Sequence, residues 1–409
     1  MKIKAYLEDK SVRLYLAVIV AFFLFLWIVV SSQKPLADER FHYAEIKSLY
    51  HNQWEIKSYL TTIPGYHFVI AMLMKSLNSE RLFTVRALSL CFSLMTLPMV
   101  WLIGKKLLWE EDEMRMRLLQ FLLFPLSLPF FFLAYTDMFS LLIILLSFYF
   151  LLKKQYSYAG LCIIASCLVR QTNIIWLLFE LAYVYLDIVG WKSFSKEVVV
   201  DFFKKTRVFM LGLVAFLVFL YLNGGVAVGD RTNQQMGFFL GNIYFVLFLF
   251  FALFFPVHIA NAKKIWAFVR TRSILSFAIV SLIGVSFVLV SRELHVYNID
   301  PYFLRNDFIK FVYASPLALV AYYIAITISV FSLIVTKLAI NNAWIMYPAT
   351  FVFLVPSHLI EQRYYIVPFV LFMLLREKIS KKGEYAIIIF NAVVSVIFLI
   401  LIFSRKYFI

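Results

Sequence analysis

The chain runs to 409 residues, 63% of them hydrophobic, with 45 Phe and 24 Tyr and only 15% charged. That apolar surplus exceeds what one soluble core can bury, so it must meet lipid; a soluble enzyme, a disordered chain and a fibrous repeat are excluded. The formal charge of +16 matters through its placement along the chain, and nucleic-acid binding is a poor reading of it.

Lys2, Lys4, Lys10 and Arg13 precede an apolar stretch from Leu14 to Val30, the layout of a signal peptide without a small-residue cleavage pattern behind it. Its length suits an uncleaved first span. Apolar runs at 14–31, 84–104, 117–134, 136–152, 157–169, 171–188, 207–222, 238–257, 273–291, 311–336, 343–357, 361–376 and 384–404 give thirteen candidate spans. They lack the alternation of barrel strands. The expected class is therefore all-α, a polytopic membrane protein with about 12–14 transmembrane helices. Tyr66 to Met74 is too short to cross and reads as a juxtamembrane helix in the first external loop. With that assignment, segments 1–13, 105–117, 153–154, 189–207, 258–272, 337 and 376–382 hold 24 of the 39 Lys and Arg, the asymmetry of a cytoplasmic face. The N-terminus is then cytoplasmic, and the mixed-charge stretch Glu110 to Arg117 reads as a solvated connector. Cys91, Cys162 and Cys167 sit in apolar runs and read as small buried hydrophobes, not as a disulfide framework or a metal site.

The polar residues gather in the external segments: 32–63, the joints 135–137 and 170–173, then 223–237, 292–310 and 357–363. Asp38-Glu39-Arg40-Phe41-His42 opens the first. A carboxylate just beyond a span end suits a general base for a hydroxyl at the membrane surface, and it equally suits a helix N-cap. Thr61-Thr62-Ile63-Pro64-Gly65 is a turn into the juxtamembrane helix. Asp137, in Tyr135-Thr136-Asp137, is an acid at the edge of the bilayer, either capping its helix or facing a wet cavity. Arg170-Gln171-Thr172-Asn173 offers a cation that either binds phosphate or snorkels to headgroups. Gly229-Asp230-Arg231-Thr232-Asn233 is turn-like, and Glu361-Gln362-Arg363-Tyr364-Tyr365 puts charges and rings at the start of a span. The charge-derived topology made no use of these motifs, yet it places them all on one face.

This ordered set resembles the endoplasmic-reticulum α-1,2-glucosyltransferases that use dolichyl-phosphate glucose to add the terminal glucose of the lipid-linked oligosaccharide. Arg170 to Trp176 is the most specific element. Ile63, Gln234 and Gln362 depart from the family pattern, where Pro, His and Pro are usual. The resemblance implies a GT-C-type glycosyltransferase fold in a single membrane domain over 1–409, with an N-terminal module at 1–222 carrying loop 32–83. Variable helices at 223–409 would carry loops 223–237, 292–310 and 357–363.

It also implies an inverting transferase. Asp38 would be the base and Glu39 its neighbour orienting the acceptor. Arg363 and Arg170 would hold the donor phosphate, with His295 and Arg305 as runners-up. His42, Asp137, Asn173, Asp230, Asn233, Glu361 and Tyr364 would shape the sugar and acceptor sites. Polyprenyl phosphate is a good leaving group, so no metal and no cofactor is expected. The partners implied are a polyprenyl- or dolichyl-phosphate sugar, a lipid-linked oligosaccharide or other glycan acceptor, and membrane lipid. The competing readings are a bacterial-type GT-C transferase acting on an envelope glycan or lipid at the inner membrane, and a transporter, which the lack of inverted repeats disfavours.

Overall fold

The structure is a computed structural model that describes residues 10–57, 59–190, 195–229, 231, 236–289 and 295–408. Among these the chain is all-helical apart from isolated bridge pairings, as its composition requires. It begins with α1 (Lys10–Ser31), then two short helices, α2 (Glu39–Tyr50) and α3 (Gly65–Ser76). A first bundle follows: α4 (Leu82–Leu94), α5 (Thr96–Lys106), α6 (Glu111–Leu122), α7 (Thr136–Leu152), α8 (Tyr156–Val169), α9 (Ile174–Ile188) and α10 (Lys196–Asn223). The second part holds α11 (Gly241–Leu253), α12 (Phe255–Thr271), α13 (Ser273–Leu289), α14 (Leu304–Ala314), α15 (Pro316–Val335), α16 (Met346–Leu354), α17 (Ile366–Leu375) and α18 (Lys381–Phe403).

The protein is a multi-pass membrane protein, but its apolar runs are not thirteen straight spans. Among the described residues four helices are long and apolar enough to cross: Leu82–Lys106, Lys196–Asn223, Pro316–Val335 and Lys381–Phe403. The run 117–134 stops being helical at Leu122, because Pro125 and Pro129 interrupt it, and continues as a buried irregular segment with a 3-10 turn at Leu128–Phe131. The run 238–257 bends by 96° between α11 and α12, so the basic segment 258–272 is helical rather than a loop. The run 361–376 yields only the ten residues of α17, every one of them buried. A helix apolar all round is one enclosed by other helices, and hydropathy alone does not distinguish protein from lipid as the enclosing medium.

The first external loop contributes α2 and α3, which pack on each other. Ile46 and Leu49 of α2 meet Tyr66, Ile70 and Met74 of α3 at helical spacing, while Ala44 faces outward. Gly65 lets α3 begin directly against the carbonyl of Leu168 at the end of α8; a Cβ there would overlap that oxygen.

At the opposite end of the bundle a buried ion cluster joins α6, α17 and α18. Arg376 binds Glu384 through Nη1 at 2.7 Å and Nη2 at 2.6 Å, and Gln120 Nε2 donates to the same carboxylate at 2.6 Å. Arg117 donates to the Arg376 carbonyl at 3.1 Å and to Glu113 at 3.3 Å. Glu113 and Arg117 are thus buried staples, not part of a solvated connector. Cys91 is exposed and Cys162 and Cys167 are partly so; none is paired.

A charged cavity beside an apolar groove

The connection after α1, the starts of α2, α7, α9 and α17, and Arg405 beyond α18 converge on a cavity of about 800 Å³. Five guanidinium groups line it, from Arg40, Arg170, Arg305, Arg363 and Arg405, against the carboxylates of Asp38, Asp300 and Glu361. Counting Asp137, which neutralises Arg170 from behind, leaves one positive charge in excess. That balance favours an anion over a cation.

Asp38 reaches the cavity through an unusual backbone. Ala37 before it is left-handed at φ 47°, a conformation that costs an L-residue about 1–2 kcal/mol. Tyr135 holds both sides of that residue: its hydroxyl donates to the Leu36 carbonyl at 3.1 Å and accepts from the Asp38 amide at 2.9 Å. The Asp38 carboxylate is 43% exposed and meets Arg363 Nη2 at 2.9 Å. Arg363 also binds Glu361 at 3.3 Å and lies over the Tyr135 ring at 5.1 Å. Arg305 pairs with the same Glu361 at 3.0 Å and caps the Phe303 ring at 4.2 Å. Arg170 is ion-paired with the buried Asp137 and sits 5.7 Å over the ring of Tyr364.

Glu39, one residue beyond Asp38, turns away by a third of a helical turn and is wholly buried. Its carboxylate receives Arg86 Nε at 2.8 Å, Arg86 Nη2 at 2.6 Å, the Leu36 amide at 3.0 Å and the Ala134 amide at 2.9 Å. With its acceptor sites filled in this way it does not face an acceptor substrate; it anchors the α1–α2 connection to α4. Asn173 is likewise turned inward, donating to Ser140 Oγ at 2.7 Å and the Ser166 carbonyl at 2.9 Å. His295 is buried behind the cavity lining; its Nδ1 accepts from the Tyr297 amide at 3.1 Å, and its ring meets that of His358. Asp230 and Asn233 lie outside the described residues. Asp38, His42, Arg170, Arg305, Glu361, Arg363 and Tyr364 do line the cavity.

His42 is held by His67 of α3, with His42 Nδ1 and His67 Nε2 2.8 Å apart. Burial, followed by the nearby charges of Arg363 and Arg170, pushes His42 down to about 3, and burial also holds His67 well below the ordinary imidazole value. Both rings are neutral at physiological pH.

Besides Arg86 and His67, sequence reasoning missed three contributors. Gln171 ties the Thr61–Ile63 turn to the α8–α9 joint: its Nε2 donates to the Thr61 and Val226 carbonyls at 2.7 and 2.8 Å, and its Oε1 accepts from the Ile63 amide at 3.2 Å. Arg405 lines the rim, and Phe408 stacks on Tyr135 while its backbone pairs with Tyr302 and Leu304. The basic pair Arg405-Lys406 following the last apolar run was the available cue.

A second, mostly apolar groove of about 330 Å³ opens beside the cavity, sharing Thr61, Thr62, Arg170, Leu359 and Tyr364 with it and running along Ile174, Ile175, Phe216, Leu220, Val352 and Phe353. A charged chamber that shares wall residues with an apolar groove has the chemistry to suit a ligand with an anionic head and a hydrocarbon tail.

Fold and site together define a multi-pass helical membrane protein with an acid- and arginine-lined cavity at one end of its bundle. The DIE2/ALG10 family matches residues 32–198 and 182–374, and the chain belongs to that family. Among its relatives, the Candida albicans protein named Dol-P-Glc:Glc(2)Man(9)GlcNAc(2)-PP-Dol alpha-1,2-glucosyltransferase is 28% identical over 61% of this chain and 59% of its own length. The Yarrowia lipolytica protein of the same name is 25% identical over 70% of this chain and 60% of its own length. The chain thus spans about three fifths of the length of these two relatives. The Rattus norvegicus protein of that name is 22% identical over 88% of both chains. Among solved structures, ArnT from Cupriavidus metallidurans bound to undecaprenyl phosphate aligns over 96% of this chain and 78% of its own, with 15% identity and a TM-score of 0.46. The family resemblance carried by the motifs is borne out.

Proposed function

We propose that this chain is an inverting hexosyltransferase of the GT-C type that moves glucose from dolichyl-phosphate glucose to a hydroxyl of a lipid-linked oligosaccharide, forming an α-1,2 linkage. The observation that carries the reading is the pairing of Asp38 with Arg363 in a cavity that shares Arg170 with a neighbouring apolar groove. Family membership and the names of the relatives supply the substrate class.

In this mechanism the isoprenoid tail lies in the groove and the phosphate meets Arg170 and Arg363. The Asp38 carboxylate takes the proton from the acceptor hydroxyl as its oxygen attacks the anomeric carbon. The bond to the phosphate oxygen breaks on the opposite face, its electron pair leaving with dolichyl phosphate, and β configuration becomes α. The guanidinium groups stabilise the charge that grows on the phosphate. Arg305 and Glu361 fix the orientation of Arg363, and Tyr364 offers a ring to the sugar. Residues 1–222 would form the conserved catalytic module and 223–409 the variable helices. The active face would be luminal in the endoplasmic reticulum, with the N-terminus cytoplasmic.

The test is Asp38→Asn in purified protein supplied with dolichyl-phosphate glucose and a diglucosylated lipid-linked oligosaccharide. Transfer should drop by about 10²–10⁴-fold with the thermal midpoint nearly unchanged. Full transfer by the variant would remove Asp38 as base, and wild-type transfer from an undecaprenyl-linked sugar alone would favour the envelope-glycan alternative.

A further inference from the structure

The His42–His67 pair has no part in the scheme above, and its geometry decides what His42 offers the cavity. The rings lie 26° from coplanar with centroids 5.1 Å apart, the spacing of an edge-on N–H···N bond rather than a face stack. Two neutral imidazoles share one proton along that line, so one donates and the other accepts. Two arrangements are open, and they differ at the far nitrogens. His67 Nδ1 is buried with no hydrogen-bond partner. If His42 Nδ1–H donated, His67 would carry its proton on that Nδ1 and bury an unsatisfied donor. If His67 Nε2–H donates, Nδ1 is a bare acceptor, and a buried unpaired acceptor is the more tolerable defect. The second arrangement puts the proton of His42 on Nε2, the ring nitrogen that His67 leaves free on a residue lining the cavity.

We infer that His67 fixes His42 as a neutral hydrogen-bond donor, and that His42 Nε2–H joins Arg363 and Arg170 as a third donor to the phosphate of the lipid-phosphate sugar. His42, Arg363 and Arg170 line the same cavity, so an anion drawn in by the two guanidinium groups meets the free ring nitrogen there. Tyr135 packs edge-on to His42 at 5.2 Å and helps hold its ring. A neutral donor adds a hydrogen bond to the leaving phosphate without adding charge beside Asp38, whose carboxylate must stay free to take a proton. His67 is a positioning residue, and its effect on the phosphate passes through His42. The inference rests on the transferase reading.

Two measurements test it. Protein labelled with ¹⁵N-histidine, in detergent at pH 7, should show the His42 ring protonated at Nε2 and bare at Nδ1, with the signal assigned by its loss in His42→Gln. An Nδ1–H tautomer, or an imidazolium, overturns the inference. Inhibition of glucose transfer by added dolichyl phosphate supplies the second readout. His42→Ala should weaken it by about 10- to 100-fold, as for a lost hydrogen bond to a charged group, and His42→Gln, which keeps an N–H, should recover part of that loss. His67→Phe, which frees Nδ1, should fall between wild type and His42→Ala in dolichyl phosphate affinity while leaving the KM for the oligosaccharide acceptor unchanged. Wild-type inhibition in His42→Ala overturns the inference while leaving the transferase reading intact. Absence of glucose transfer by the wild-type protein overturns that reading instead.

Discussion

Asp38 and Glu39 are adjacent acids whose fates diverge because one helical step separates a cavity wall from a protein interior. Glu39 is committed to Arg86, with both side chains fully buried. Removing one member strands the other charge out of water. Arg86→Leu should therefore destabilise the protein by about 3–5 kcal/mol, read as a lowered denaturation midpoint in detergent, with activity lost in proportion to unfolding. Asp38→Asn should show the reverse pattern, with stability kept and turnover lost.

The histidine pair gives a pH prediction of definite sign. Folded His42 and His67 stay neutral well below the pH at which the unfolded chain takes up protons, near 6.5. The unfolded state therefore binds more protons as pH falls through that value, and stability present above it is lost on acidification. The slope is up to about 1.4 kcal/mol per pH unit for each imidazole. Thermal midpoints compared at pH 7.5 and pH 5 should fall less steeply in His42→Gln than in the wild type.

At the scale of elements, the site depends on turns that are stitched together rather than on any one helix. The Thr61–Ile63 turn reaches the cavity because Gln171 holds it from the α8–α9 joint and because Gly65 lets α3 abut the end of α8. Gly65→Ala places a methyl against a backbone carbonyl that cannot rotate aside, so α3 must shift. The expected cost is about 1–3 kcal/mol of stability, accompanied by a raised KM for the donor as Thr61 and Thr62 leave the junction of cavity and groove. An unchanged KM would show that α3 does not position the turn.

Across the whole molecule, charge is sorted into two layers with different tasks. The cavity keeps its ions partly open, whereas the Arg117–Gln120–Arg376–Glu384 cluster at the other end is closed and internally paired. Glu384→Ala leaves the buried Arg376 guanidinium without its carboxylate and should cost about 3–5 kcal/mol. Because the cluster touches no part of the cavity, the folded fraction of the variant should retain wild-type KM values. A selective change in KM would reveal coupling between the two ends of the bundle.

The amino-acid sequence by itself determined that the chain is helical and lives in a membrane, because apolar content and backbone hydrogen bonding leave no other solution in lipid. Its motifs also carried the family, and residues such as Asp38, Arg170, Glu361 and Arg363 stood out because charges at span ends are costly without a use. Tertiary structure decided the rest. Which of two neighbouring acids faces the cavity, whether Asn173 binds substrate or braces a helix joint, and which apolar runs are enclosed by protein instead of lipid all depend on what packs against each side chain. Arg86, Gln171, His67 and Phe408 act through partners distant in sequence, such as Glu39 for Arg86 and Tyr135 for Phe408. Local patterning holds no record of contacts of that range, so only the folded chain identifies them.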